Sequence, residues 1–312
     1  MSASYGEQLL ELARADERVI VMTAENRAPI RALPPQLGAR FVDTGITEQT
    51  MVGMAAGLAL RGRIPVVHAL ATFLTMRAFE FIRTDVGLPA LPVKIVGTVP
   101  GILSEANGPT HQALEDVALL RGVPNVCVFC PADADDLVAA LPAIVADPSP
   151  WYIRHCERPA PAGVRHEPFS IGRAEVFAQS EGDDVALIVL GALFRETWEA
   201  AALLRAQGIS VRVINVRCAD PFDARAIVAA ASECTLLVTV EDHFATGGLY
   251  SLVCETLVRN GVAAPLASVS CGDEWFTPAL LEDAIMASGF SPSAIAARVC
   301  TALAARSTAT AL

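Results

Sequence analysis

Three short stretches set chemically able side chains among apolar neighbours: 43-DTGITEQTMVGMAAGLALRG-62, 72-TFLTMRAFEFIR-83 and 107-NGPTHQALED-116. In the first, Glu48 falls in the opening turn of a Gly- and Ala-rich helix, with Thr47 as the expected N-cap. A carboxylate there either complements the positive end of the helix or offers a proton acceptor at the mouth of a cleft. In the second, Phe73, Met76, Phe79 and Ile82 recur at helical spacing. They form either core or a flat apolar pocket wall, with Phe73 near the helix start free to stack on a ring. In the third, Gly108 and Pro109 force an irregular loop, and His111 follows just before the next helix. An imidazole there is either structural or exposed to a cleft at a strand's carboxyl end.

Short apolar runs must position these groups: VIVM at 19–22, IPVV at 64–67, LPVKIVG at 91–97, NVCVFC at 125–130 and WYIR at 151–154. They alternate with helical patterns, which predicts a mostly parallel sheet covered by helices on both faces. The stretch ERPAPAGVRHEPFS, residues 157–170, is proline-rich and aperiodic and reads as a linker. Beyond it strands near DVALIVL, SVRVINV, CTLLVTVE and LASVS again alternate with helices. The expectation is therefore an α/β chain of two doubly wound domains, 1–156 and a smaller 171–312, ending in a frayed tail, ARSTATAL.

Hydrophobic residues make up 53% of the 312 and the mean hydropathy is +0.44, yet no apolar run reaches the roughly 18 residues of a membrane span. The N-terminus lacks the order of a secretory signal, so a cytoplasmic location is expected. A net charge of -11 argues against a nucleic-acid surface. The basic residues are nearly all Arg, with Lys94 the single lysine. Eight cysteines in such a compartment are expected to be reduced. The one CxxC, Cys127 to Cys130, lies along a predicted strand, a poor place for a redox or metal site. No metal ligands are assigned.

Taken in order, DTGITEQ, AAGLALRGRIPVVHALATFLTMRAFEFIR, LPVKIVGT, GPTHQALEDVALLRGVPNV, PAD and YIR resemble the pyrimidine-binding domain of transketolases over residues 5–156. The stretch 241-EDHFATGGL-249 resembles the C-terminal domain of the same family. The resemblance implies a thiamine diphosphate-dependent transferase in which Glu48 hydrogen-bonds N1′ of the aminopyrimidine, favouring the tautomer that takes the thiazolium C2 proton. It implies that Phe73 stacks on that ring, with Met76 and Phe79 completing the pocket. It implies further that His111 touches the reacting oxygens, Asn107 meets an acceptor hydroxyl, and Arg154 binds the phosphate or carboxylate end of a sugar. His68 and Arg77 fall near the site without an assigned role.

Full-length transketolases begin with a diphosphate-binding domain whose GDG motif and downstream Asn hold Mg²⁺ and the cofactor's phosphates. GDD at 182–184 and GDE at 272–274 read instead as turns. The resemblance thus implies the C-terminal half of a split transketolase, sharing thiamine diphosphate with an N-terminal partner subunit that binds Mg²⁺, in a two-plus-two heterotetramer acting on small sugars. Three positions depart from the sugar-phosphate pattern: Asn107 replaces an Asp, Val99 a His, and Pro29 a Ser. These predict a substrate that is smaller, unphosphorylated or specialised. Two other readings stand beside the first: a decarboxylating carboligase like deoxyxylulose phosphate synthase, and an assembly subunit without catalysis.

Overall fold

Ser4 opens the first helix with a reciprocal cap: its hydroxyl accepts from the Glu7 amide at 3.3 Å, and the Glu7 carboxylate accepts from the Ser4 amide at 2.8 Å. The computed structural model describes residues 3–177 and 183–310. Helix α1 (Tyr5–Ala15) buries Tyr5, Leu9, Leu10 and Ala13 against the sheet. Strand β1 (Val19–Thr23) is buried at every residue, as a strand covered on both faces of a parallel sheet must be.

The first half continues with α2 (Pro34–Leu37), β2 (Phe41–Asp43), α3 (Glu48–Leu60), β3 (Ile64–Leu70), α4 (Phe79–Phe81), β4 (Lys94–Thr98), α5 (Asp116–Leu120), β5 (Cys127–Phe129), α6 (Ala134–Ala146) and β6 (Trp151–Arg154). Two π-helical turns, Phe73–Arg77 and Ile82–Gly87, flank α4. The second half supplies β7 (Glu175–Phe177), β8 (Val185–Leu190), α7 (Phe194–Ala206), β9 (Val211–Asn215), β10 (Cys218–Asp220), α8 (Ala224–Glu233), β11 (Leu236–Glu241), α9 (Leu249–Arg259), β12 (Leu266–Val269), α10 (Leu281–Ala287) and α11 (Pro292–Thr310).

Two sheets result, in the orders β10-β5-β6-β4-β3-β1-β2 and β12-β11-β8-β9-β7. Each is parallel except for one antiparallel edge strand, β10 in the first and β7 in the second. Leu9, Val21, Leu137, Leu141 and Trp151 fill one face of the first sheet beneath α1 and α6. On its other face Met51, Val52, Leu74, Ile82 and Val117 form a core that runs without a break into Ile188 and Ile214 of the second sheet. The only lysine lies inside: Lys94 Nζ donates to the carbonyls of Asp147 and Ser149 at 2.6 Å each, and burial pushes its amine down to about 8.

Several expectations need revision. The edge strand β10 belongs to the second half yet pairs with β5, Cys218 opposite Phe129, so the first sheet is not built from the first half alone. Residues 157–170 carry no helix or strand, but they are not a free tether. Arg158 donates to the Glu196 carboxylate at 2.7 and 2.9 Å, and His166 bridges Asp133 and Glu175 at 2.8 and 2.9 Å. The tail expected to fray is helical through Thr310, with Ala311 and Leu312 outside the described residues. GDE at 272–274 is a turn, as expected. Of GDD, Gly182 lies outside the described residues, and Asp184 Oδ2 accepts from the Ser210 amide and hydroxyl at 2.9 Å.

Candidate active site

From β1 the chain moves to β2 on one side, and from β3 to β4 on the other. The connections after β1 and β3 therefore part above two adjacent strands and leave a crevice at their carboxyl ends, the place where open parallel sheets take ligands. A cavity of about 280 Å³ opens there, lined by Ala24, Glu25 and Asn26 after β1, Leu70 and Phe73 after β3, and Ile46 and Glu48 after β2. Polar bonds fix Asn26 in its wall. Asn26 donates to Thr98 Oγ1 at 2.6 Å, and Thr23 Oγ1 donates to the Asn26 carbonyl at 2.8 Å. Glu25 at φ 65° and Val99 at φ 46° occupy the left-handed region. For a β-branched valine that conformation costs on the order of 1–3 kcal/mol, a cost that clusters at functional sites.

Glu48 begins α3, but Thr47 does not cap it through its side chain; the Thr47 hydroxyl donates instead to the Thr44 carbonyl at 2.9 Å. The Glu48 side chain is only 2% exposed, and Arg77 Nη1 donates to its Oε2 at 2.8 Å. The same guanidinium lies over the Phe73 ring, its central carbon 4.2 Å from the centroid. On another side of Phe73 stands His111, the two ring centroids 5.2 Å apart at 65°. The His111 Nδ1 is 2.9 Å from the Thr110 hydroxyl. Glu48, Phe73, Arg77 and His111 are thus contiguous.

Other expected residues fall elsewhere. Between Phe73 and Arg77 the Ala78 amide reaches back five residues to the Phe73 carbonyl at 3.2 Å, so the turn is wider than an α-helix. Met76 consequently points outward, 38% exposed, with Thr72 Oγ1 3.5 Å from its sulfur. Phe79 packs against the core. Asn107 is exposed at the end of a 3-10 segment, Gly101–Asn107. The expectation for Arg154 is corrected: it is 3% exposed, its Nε is 2.9 Å from Asp116 Oδ2 and its Nη1 2.7 Å from Asp242 Oδ1. Its remaining donors point at the carbonyls of Ala113 and Asp242. A guanidinium closed in by two carboxylates is an internal tie and offers no face to a sugar's anionic end.

His68 is also internal. Its Nδ1 lies 3.1 Å from the Met22 carbonyl and its Nε2 2.7 Å from the Tyr5 hydroxyl, and burial pushes the imidazole down to about 4. Because a carbonyl only accepts, Nδ1 carries the proton and the Tyr5 hydroxyl donates to Nε2. Sequence reasoning missed Ala24, Glu25, Asn26, Ile46 and Leu70 as cavity walls. Their one available signal was position, at the carboxyl ends of predicted strands. Among the described residues no group of three or more His, Cys, Asp or Glu side chains is placed to hold a metal ion, and no helix is long and apolar enough to cross a membrane.

Residues 1–161 match the family described as "Transketolase, pyrimidine binding domain" and residues 172–295 that described as "Transketolase, C-terminal domain". Over 273 residues the chain is 36% identical to the 6-deoxy-6-sulfo-D-fructose transketolase subunit SqwH of Clostridium sp. (strain MSTE9), covering 86% of this chain and 84% of that one. It is 35% identical over 306 residues to a 1-deoxy-D-xylulose-5-phosphate synthase of Synechococcus sp. (strain JA-2-3B'a(2-13)), covering 96% of this chain but 46% of the relative. A solved structure described as "Split gene transketolase, inactive beta4 tetramer" superposes with a TM-score of 0.85 at 33% identity, covering 96% of both chains.

Proposed function

The chain belongs to the transketolase family, and from that premise we propose that it is the pyrimidine-binding subunit of a split transketolase. With a partner that holds the diphosphate and Mg²⁺, it moves a two-carbon ketol unit from a ketose to an aldose-type acceptor. The observation that carries this reading is one cavity in which a buried carboxylate, Glu48, stands beside an aromatic face, Phe73, with Ile46 and Leu70 as apolar walls. That set fits an aminopyrimidine: a carboxyl group to exchange a proton with its ring nitrogen, a surface for its π-face, and apolar walls beside it. The similarity to a relative named as a transketolase subunit supports the split arrangement.

Thiamine diphosphate, when bound, supplies the nucleophilic carbon and electron sink that let a carbon-carbon bond next to a carbonyl break and re-form. This chain's residues do the rest. Glu48 Oε takes and returns a proton at the pyrimidine nitrogen, and Phe73 orients the ring. His111, held edge-on to Phe73 and tied at Nδ1 to Thr110, offers Nε2 to a reacting oxygen. Asn107, exposed at the end of the 3-10 segment before it, would meet an acceptor hydroxyl. Asn107, Val99 and Pro29 in place of Asp, His and Ser support a specialised or unphosphorylated sugar, and the relative named for a 6-deoxy-6-sulfo sugar supports the same direction. A cytoplasmic two-plus-two assembly completes the reading.

The decarboxylating alternative draws on the 1-deoxy-D-xylulose-5-phosphate synthase relatives. The two separate by product: the chain mixed with its partner subunit is given a ketose donor and an aldose in one reaction, and pyruvate and an aldose in another. Ketol transfer without CO₂ is expected. Release of CO₂ from pyruvate with no ketol transfer would replace this reading with the alternative.

A further inference from the structure

Arg77 contacts the two residues of the cavity wall on which a planar nitrogen ring would depend, Glu48 and Phe73. Its Nη1–H donates to Glu48 Oε2 at 2.8 Å, and its flat guanidinium covers the Phe73 ring at 4.2 Å. An aminopyrimidine protonated at its ring nitrogen, hydrogen-bonded to a carboxylate and stacked on a phenyl ring, asks for the same carboxylate and the same aromatic ring. We propose that Arg77 is a displaceable internal ligand: it holds the Glu48 carboxylate and the face of Phe73 until the pyrimidine ring of the cofactor takes them over. The inference rests on the reading of Glu48 and Phe73 as the ring's site.

The two ends of the ion pair are unequal. Glu48 is 2% exposed while the Arg77 side chain is 41% exposed. The carboxylate therefore needs a partner wherever it is charged, whereas the guanidinium can return to water at little cost. Among the described residues, Glu48 is the one hydrogen-bond partner of Arg77, so beyond the contact with Phe73 no second hydrogen bond opposes its departure. The π-helical turn brings the pair about. Its wider winding sets Arg77, four residues on, over the ring of Phe73 and turns Met76, three residues on, outward. Such turns concentrate at functional sites. A cation on an aromatic face, half in water, is held weakly enough to be exchanged. Exchange leaves Glu48 paired throughout, so the subunit never carries a bare buried charge.

The test is the affinity of thiamine diphosphate with Mg²⁺ for the two-subunit complex, read by calorimetry, together with the melting temperature of the full chain in the complex with and without cofactor. Arg77→Ala removes the competitor and should tighten binding by about fivefold. Arg77→Lys keeps the charge but lacks the plane and should fall between. Arg77→Ala should also lower the melting temperature without cofactor and restore it at saturation. Unchanged or weaker binding in Arg77→Ala overturns the proposal. Phe73→Ala and Glu48→Gln decide the underlying reading separately: if both bind cofactor as the unaltered chain does, the site itself is misplaced.

Discussion

Arg154 Nη1 lies 2.7 Å from Asp242 Oδ1, joining the end of β6 in the first sheet to the residue after β11 in the second. Asp116 takes the other edge of the guanidinium at 2.9 Å and also accepts from the Tyr152 hydroxyl at 2.6 Å. The second Asp242 oxygen accepts from the Ile102 amide at 3.1 Å. The segment leading to Asn107 and His111 is thereby fixed to the domain interface.

Removing the cation from this tie strands two buried carboxylates. Arg154→Met should cost about 3–5 kcal/mol of stability by urea unfolding, the range for breaking a buried pair from one side. Burial already pushes the Asp242 carboxyl up, against the pull of Arg154. Without Arg154 that acid takes a proton more readily, so the loss should shrink as pH falls. A loss below about 1 kcal/mol at neutral pH would show that the tie is not structural.

His166 predicts a pH dependence of its own. Burial opposes its charge, but hydrogen bonds to Asp133 and Glu175 prevail and hold the imidazolium up to about 10. An unfolded histidine titrates near about 6.5. Its folded value is raised, so its contribution is complete below that pH and is lost as pH climbs toward 10. His166→Gln should therefore melt lower than the unaltered chain at pH 6.5, with the gap closing by pH 10. A gap that stays constant over that range would contradict the assignment.

The parts of the fold legible in the sequence were those with sustained patterning. β1 and β8 read as buried strands because their short apolar runs, bounded by polar residues, match the length of a strand better than that of a helix. β10 could not be read: three residues, Cys218–Asp220, carry no period, and their partner β5 lies some ninety positions earlier. Glu48, Phe73 and His111 were legible as unusual residues beside turns, and the cavity places the first two together. Met76 and Phe79 were paired with Phe73 by a 3.6-residue period that the π-turn breaks. Arg154 misled for a different reason. Nothing near it in sequence reveals Asp242, which reaches it from the second sheet.

Glu48→Gln isolates the proton from the shape. The amide matches the carboxylate in size, can still donate or accept a hydrogen bond, and sits in the same opening turn of α3. Only the ability to take and return a proton, and the charge that Arg77 answers, are removed. Because the Arg77 end of the pair is 41% exposed, the stability change should stay within about 1 kcal/mol. If Glu48 moves a proton at the pyrimidine nitrogen, kcat should fall by about 10² or more, the usual scale for a lost acid-base group, with KM for the sugars changing far less. Rate measurements on the reconstituted complex at saturating cofactor decide it. A variant as fast as the unaltered enzyme would return Glu48 to the part of a helix-end carboxylate paired with Arg77.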